Sequence, residues 1–131
     1  MSIESYSRGA SKVVAVEKHP KSIKIMNSNL NEFQIQDEIK LISQDVFQFL
    51  KKTHEESFDI ILIDPPFTQK IAHQVMESLQ STELCKPSGV VVIESTKHEG
   101  IADKYGSLIL LDRKDYGDKL LSFFKNEDDV V

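Results

Sequence analysis

Along the first two-thirds of the chain, hydrophobic residues form two patterns in turn: short continuous runs, and single residues at helical spacing. Short aliphatic or β-branched runs predict four strands, at Val13–Val16, Ile39–Ser43, Phe58–Asp64 and Val90–Glu94. Between them, apolar residues recur at helical spacing and predict helices that begin at Pro20, follow Asp45, and span Ile71–Leu79. Strands that alternate with helices form parallel sheets with right-handed crossovers, so the pattern predicts an α/β fold.

The last third of the chain has a different pattern. A short helix is predicted around Ile101–Tyr105, and then two strands, Leu108–Asp112 and Lys119–Phe124, flank a polar turn that contains Gly117. Two strands joined by such a turn form an antiparallel hairpin. The Phe58–Asp64 strand is apolar on both faces, which predicts a position in the middle of a covered sheet.

Composition narrows the class of protein. The 131 residues are 40% hydrophobic and 28% charged, which predicts a single globular domain over residues 1–131 and excludes a coiled-coil or collagen-like rod. No apolar run approaches the roughly 20 residues that cross a bilayer. A single cysteine, Cys85, and an N-terminus without an apolar signal core favour the cytoplasm. With 16 basic and 21 acidic residues, bulk charge does not predict attachment to nucleic acid.

Acidic residues follow the predicted strands, at Glu17, Asp45, Asp64 and Glu94. Parallel strands end at one edge of a sheet, where open α/β sheets bind ligands. Each acid could instead cap the next helix, and Asp45 is well placed to do so. Glu17 could accept hydrogen bonds from ribose hydroxyls and Asp45 from an adenine amine. The pair is therefore suited to a ligand that contains adenosine.

The segment Asp64-Pro65-Pro66-Phe67 carries the strongest chemical signal. Two prolines fix the backbone and remove two N–H donors. Asp64 and the adjacent carbonyls therefore form a cluster that can accept hydrogen bonds but cannot donate them. An exocyclic amine of a nucleobase is a group that such a cluster could hold, and Phe67 could stack on the base. The alternative is a turn that merely ends the strand.

Several motifs together resemble one family. They are Ser7-Arg8-Gly9-Ala10, Val16-Glu17-Lys18, Asn29-Leu30, Asp45, Asp64-Pro65-Pro66-Phe67 and Tyr116-Gly117-Asp118. The chain resembles the class I S-adenosylmethionine-dependent methyltransferases, and more narrowly the RsmD family, which methylates guanine N2 in 16S ribosomal RNA. The resemblance implies a Rossmann-like sheet, mostly parallel, with a C-terminal antiparallel hairpin.

The resemblance also implies roles for individual residues. S-adenosylmethionine is the expected cofactor, and the residues expected to bind it are Glu17, Lys18, Asp45, Val46 and Asp64. The expected catalytic residues are Asp64, Pro65, Pro66 and Phe67. The expected substrate-binding residues are Phe67, Tyr116 and Gly117. Ribosomal RNA or the small ribosomal subunit is the implied partner, and methyl transfer is direct, with neither metal nor membrane involved.

The sequence is also compatible with other functions. The proline motif also serves adenine-N6 methyltransferases, and a non-catalytic remnant could act as an interaction domain. A dehydrogenase is the weakest alternative because the chain contains no G-x-G-x-x-G segment.

The chain lacks a counterpart of the family's first strand and its glycine-rich turn. We therefore expect an N-terminally truncated domain that binds S-adenosylmethionine weakly. An upstream extension that supplies the strand and the glycine-rich turn should restore this binding. The resemblance implies that the missing strand lies, in the family's sheet, between the strands that here end at Glu17 and Asp64. Its loss would expose sheet edges that could pair in a homo-oligomer.

Overall fold

The computed structural model describes residues 2–52, 54, 56–66 and 70–129, with the backbone alone for Ile3, Tyr6 and Asp129. The chain divides into two compact units, Met1–Phe49 and Leu50–Val131. The single domain over residues 1–131 stays a prediction. None of the helices in the described part of the chain is long and apolar enough to cross a membrane.

The first unit is built around two parallel strands and the helix that connects them. Its elements are α1 Ser2–Ser7, β1 Val13–Glu17, α2 Pro20–Glu32 and β2 Ile39–Ser43, followed by α3 Val46–Lys51, which continues past the boundary between the units. Strands β1 and β2 pair from Val13–Ile39 to Glu17–Ser43. Proline at the start of α2 is compatible with a helix because the first-turn N–H groups have no partner within it. The core of this unit contains Val13, Leu30 and Ile39.

The second unit is a five-stranded sheet, with the helix α4 in the part of the β3–β4 connection that the structure describes. Its elements are β3 Phe58–Ile63, α4 Ala72–Leu79, β4 Cys85–Thr96, β5 Lys104–Tyr105, β6 Leu108–Tyr116, β7 Lys119–Asn126 and a 3₁₀ helix at Glu127–Asp129. The strand order is β3-β4-β7-β6-β5. The β3–β4 pair is parallel and the three other pairs are antiparallel. The predicted strands, the helices at Pro20, Val46 and Ala72, and the hairpin are therefore all present.

One side of this sheet carries the core. Val91, Ile93 and Phe124 are completely buried, and α4 adds Met76 and three neighbours to the buried set. Tyr105 packs edge-on against Phe124, with ring centroids 5.6 Å apart. The core therefore lies beside the central strands β4 and β7.

The predicted position of the Phe58–Asp64 strand is wrong. In the described residues β3 pairs with β4 alone, at the edge of the five-stranded sheet. Alternate side chains of a strand lie on opposite faces. Ile61 and Ile63 are half-buried on one face, whereas Ile60 and Leu62 are 64% and 41% exposed on the other.

The helix predicted around Ile101–Tyr105 is also wrong. Its place is taken by a turn and by β5, where Tyr105 pairs with Leu108. The Ala102 N–H donates to the Tyr105 hydroxyl at 2.8 Å, and the ring of Tyr105 is buried. Burying the aromatic ring therefore overrides a weak helical pattern in this segment.

The C-terminal hairpin is confirmed, with longer strands and a tighter turn than predicted. Tyr116 pairs with Lys119, so that Gly117 and Asp118 form a two-residue loop. Gly117 has φ +81° and Asp118 does not have a positive φ, which is the pattern of a type II′ turn. Glycine adopts this conformation without the steric cost that a side chain adds.

Candidate active site

The carboxyl ends of β1 and β2 bring four predicted cofactor-binding residues together in the first unit. Glu17 ends β1, and its Oε1 accepts hydrogen bonds from the backbone N–H groups of Lys18 at 3.1 Å and His19 at 3.0 Å. Its Oε2 makes no hydrogen bond to the described residues, so one oxygen of this carboxylate can still accept a ligand hydroxyl.

Asp45 lies beside Glu17 in the loop that follows β2. Its Oδ2 accepts from the backbone N–H groups of Phe47 and Gln48, at 3.1 and 3.3 Å, which caps α3. Its Oδ1 lies 3.5 Å from the Lys18 Nζ. Val46 is the first residue of α3 and is half-buried. The capping role considered for Asp45 is therefore confirmed, and both of its oxygens already have partners.

In the second unit, acidic residues meet at the carboxyl ends of β3 and β4. The ladder ends with the pair Ile63–Ile93, which places Asp64 and Glu94 next to each other. The two acids are therefore neighbours at the end of paired strands, and their carboxyl groups interact. The Lys119 Nζ, at the start of β7, lies 3.3 Å from the Glu94 Oε1. The three side chains form an acid–acid–lysine cluster at one edge of the sheet.

This environment changes the acidity of Asp64. Partial burial, the hydrogen bond to Glu94 and repulsion by the Glu94 charge raise the pKa of the Asp64 carboxyl, and Lys119 opposes the shift. A carboxyl whose pKa is raised is a better proton acceptor once it is ionised.

The residues that follow Asp64 give the site its acceptor character. Pro65 is half-buried and Pro66 is exposed, and neither has an N–H to donate. Phe67, the residue predicted to stack on the base, lies outside the described residues. The structure therefore describes Asp64, Pro65 and Pro66 of this motif.

The hairpin turn lies at the same edge of the sheet. Tyr116 is 61% exposed and is directly opposite Lys119, whose ammonium group contacts Glu94. Asp115 accepts from the Gly117 N–H at 2.9 Å and forms an ion pair with Lys97 at 3.0 Å. These contacts place Tyr116 and Gly117 at the end of the sheet where β3 and β4 end.

Two residues of this cluster had no role in the sequence-based prediction. Glu94 was recognised as an acid at a strand end, and Lys119 only as the first residue of a strand. A two-residue turn pairs Tyr116 with Lys119 and could have indicated the position of Lys119, but the register of β7 against β4 comes only from the structure.

A surface depression of about 510 Å³ in the first unit lies away from these residues. Its lining includes Lys12, Val13, Ile39 and Lys40, at the amino ends of β1 and β2. Ligands of open α/β sheets bind at the carboxyl ends. The strand-end acids, rather than this depression, therefore define the candidate site of the first unit.

Solved structures identify the class of fold. A methylase structure from Haemophilus influenzae superimposes on this chain with a TM-score of 0.84 and 26% sequence identity. The superposition covers 95% of this chain and 78% of the Haemophilus influenzae chain. The prediction of a Rossmann-like α/β methyltransferase fold with an antiparallel hairpin is confirmed.

Sequence comparison identifies the family within that class. The model of the family described as conserved hypothetical protein 95 matches residues 1–125, and the chain belongs to this family. The chain is 29% identical over 101 residues to ribosomal RNA small subunit methyltransferase D of Buchnera aphidicola, which covers 77% of the chain and 52% of that protein. The protein of the same name from Haemophilus influenzae is 28% identical over 74% of the chain and 51% of its own length. The chain thus spans about half the length of these curated relatives, and its resemblance to the RsmD family is confirmed.

Proposed function

We propose that the chain acts as an S-adenosylmethionine-dependent methyltransferase on an exocyclic amine of small-subunit ribosomal RNA, namely guanine N2. The observation that carries the proposal is the acceptor-only end of β3, where Asp64 is followed by two prolines. Support comes from the relatives named ribosomal RNA small subunit methyltransferase D. The RNA substrate supports a cytoplasmic location, and we propose that residues 1–131 act as one domain.

The first unit offers a site for the adenosine end of the cofactor. Glu17 retains an acceptor oxygen that fits a ribose hydroxyl, and Asp45 can accept from an adenine amine with its remaining lone pairs. Lys18 and Val46 flank these two carboxylates. The residues present therefore fit this part of the molecule.

The second unit offers the groups that act on the amine. When bound, S-adenosylmethionine supplies an electrophilic methyl group on a sulfonium. Asp64 and the Pro65 carbonyl accept hydrogen bonds from the amine, which orients its lone pair for in-line attack. The Asp64 carboxylate would accept the proton that the amine nitrogen loses when it takes up the methyl group. Tyr116 is exposed beside this position and could contact the base or its neighbours.

Transfer of a radiolabelled methyl group tests the proposal. The chain is incubated with in vitro transcribed 16S ribosomal RNA at millimolar S-adenosylmethionine, and the digested RNA is analysed for methylated nucleosides. We expect N2-methylguanosine from the unmodified chain and none from Asp64→Ala. Asp59→Ala is the matched control, because Asp59 lies at the amino end of the same strand in an ion pair with Lys86.

Other products would change the conclusion. N6-methyladenosine would replace guanine with adenine as the target. No methylated nucleoside, together with no cofactor binding by calorimetry, would overturn the proposed activity and favour a non-catalytic interaction domain.

A further inference from the structure

The parallel pairing of β3 and β4 ends with two carboxyl groups side by side. Asp64 is the first residue after β3, and Glu94 is its neighbour on β4, one position beyond the Ile63–Ile93 pair. Two neighbouring carboxylates repel each other when both are ionised, and they can share a hydrogen bond only when one of them holds a proton. This contact forms where the proposed reaction releases a proton.

Lys119 links the pair to the hairpin. Its Nζ lies 3.3 Å from the Glu94 Oε1, and the Glu94 side chain is only 25% exposed. In the antiparallel ladder Lys119 pairs with Thr96 of β4 and with Tyr116 of β6. The ammonium group therefore restrains Glu94, and among the described residues of this unit the charges that act on Asp64 are those of Glu94 and Lys119.

We propose that Glu94 is a positioning residue for Asp64, and that the two carboxyl groups together hold the single proton that the target amine releases. Glu94 orients the Asp64 carboxyl through their hydrogen bond, and Lys119 holds Glu94. The pair reacts after solvent has removed its shared proton: the amine N–H bond breaks, an O–H bond forms on Asp64, and this proton is shared with Glu94 until solvent removes it again. This role rests on the proposed methyl transfer, and it assigns functions to two residues outside the proline motif.

A titration without cofactor or RNA tests the pair itself. Carbon NMR of the labelled carboxyl groups follows the ionisation of Asp64 in the unmodified chain and in two variants. We expect Glu94→Gln to lower the pKa of Asp64. A neutral amide does not repel the ionised Asp64 carboxylate, and it can donate a hydrogen bond to that carboxylate without Asp64 being protonated. We expect Lys119→Met to raise this pKa, because a neighbouring positive charge is lost.

Matched controls come from the other end of the same strands. Asp59 and Lys86 form an acid–lysine ion pair at 3.2 Å, and Asp59→Asn and Lys86→Met should leave the Asp64 titration unchanged. An Asp64 pKa that is the same in Glu94→Gln as in the unmodified chain would overturn the proposal.

The pH dependence of methyl transfer tests the role in the reaction. We expect Glu94→Gln to lower kcat about tenfold, less than the roughly 10²–10⁴-fold that a general base itself contributes, with little change in the KM for RNA. We also expect the acidic limb of its pH–rate profile to move to lower pH, following the lower pKa of Asp64. A residue that only supported the fold would reduce activity without moving this limb.

The outcomes separate the two proposals. Methyl transfer with an unshifted acidic limb in Glu94→Gln overturns the role of the pair and leaves the proposed function standing. If the unmodified chain transfers no methyl group although the Asp64 titration shifts as expected, the proposed function is overturned, and with it the role of Glu94 in catalysis.

Discussion

Asp45 has a structural role at a position where the sequence also predicts ligand binding. One oxygen caps α3 through two backbone N–H groups, and the other lies 3.5 Å from the Lys18 ammonium. The sequence left capping and adenine binding as alternatives for this residue. The structure supports capping, and the ligand role requires lone pairs that these contacts leave available.

Substitutions at Asp45 separate its cap from its charge. We expect Asp45→Ala to lower the free energy of unfolding by about 1 kcal/mol, because two N–H groups lose their acceptor. Asp45→Asn keeps an acceptor oxygen and should retain most of the stability. Urea unfolding of the two variants measures the difference.

The ion pair of Asp45 provides the control. Lys18→Met removes the 3.5 Å contact without touching the cap and should change stability by less than about 1 kcal/mol, because the pair is partly exposed. Equal losses in Asp45→Ala and Asp45→Asn would contradict the capping role.

At the scale of single residues, the sequence identified Glu17, Asp45 and Asp64 because acids after predicted strands are visible in the pattern. It could not assign partners across strands. The contact between Asp64 and Glu94 depends on which residues end opposite each other, and Lys119 reaches Glu94 only through the register of β7. Neither register is encoded in local propensity.

Among the strands that were predicted, β4 differs most in length, because it runs from Cys85 to Thr96 instead of Val90–Glu94. Its register against β3 shifts between Phe58–Cys85 and Ile60–Val90, so Pro87, Ser88 and Gly89 lie in a bulge within the strand. Gly89 is buried in this bulge. A Cβ at this position would lie 2.8 Å from the Cys85 Sγ and 3.0 Å from the Lys86 and Phe58 carbonyl oxygens.

The bulge predicts a strong effect for the smallest substitution. We expect Gly89→Ala to destabilise the chain by about 1–3 kcal/mol, because two backbone carbonyls must move to admit a methyl group. Ser88→Ala, at an exposed neighbouring position in the same bulge, should stay within about 0.5 kcal/mol of the unmodified chain. Equal urea midpoints for the two variants would show that the strand accommodates the methyl group.

Elements with a strong local signal were predicted well, and those that depend on tertiary packing were not. The amphipathic helices at Pro20 and Ala72 and the glycine turn of the hairpin needed no knowledge of their neighbours. The segment around Ile101–Tyr105 forms no helix because the Tyr105 ring is buried against Phe124. The edge position of β3 could not be deduced from its four consecutive aliphatic residues, since such runs also occur in central strands.

For the whole molecule, Asp64 makes stability depend on pH in a direction opposite to that of most acids. The folded state raises the pKa of Asp64, so between its ordinary pKa of 3.8 and the raised value the folded chain binds more protons than the unfolded chain. Stability from this group therefore falls as the pH rises through that window.

Replacing Asp64 should remove this dependence. We expect Asp64→Asn to match the unmodified chain below pH 3.8 and to become the more stable of the two as the pH approaches neutrality. Urea midpoints of both proteins across this range provide the measurement. A growing advantage of the unmodified chain with rising pH would show that Asp64 is stabilised, rather than strained, in its ionised form.

The edge position of β3 also determines how its backbone meets water. In a parallel ladder, successive residues direct their N–H groups to opposite sides of the strand, and among the described residues β4 provides acceptors on one side only. Every second amide of β3 should therefore exchange its hydrogen for deuterium quickly, while the amides between them exchange at the slower rate of the β3–β4 ladder. A strand of four consecutive aliphatic residues would then show an alternating exchange pattern with a period of two.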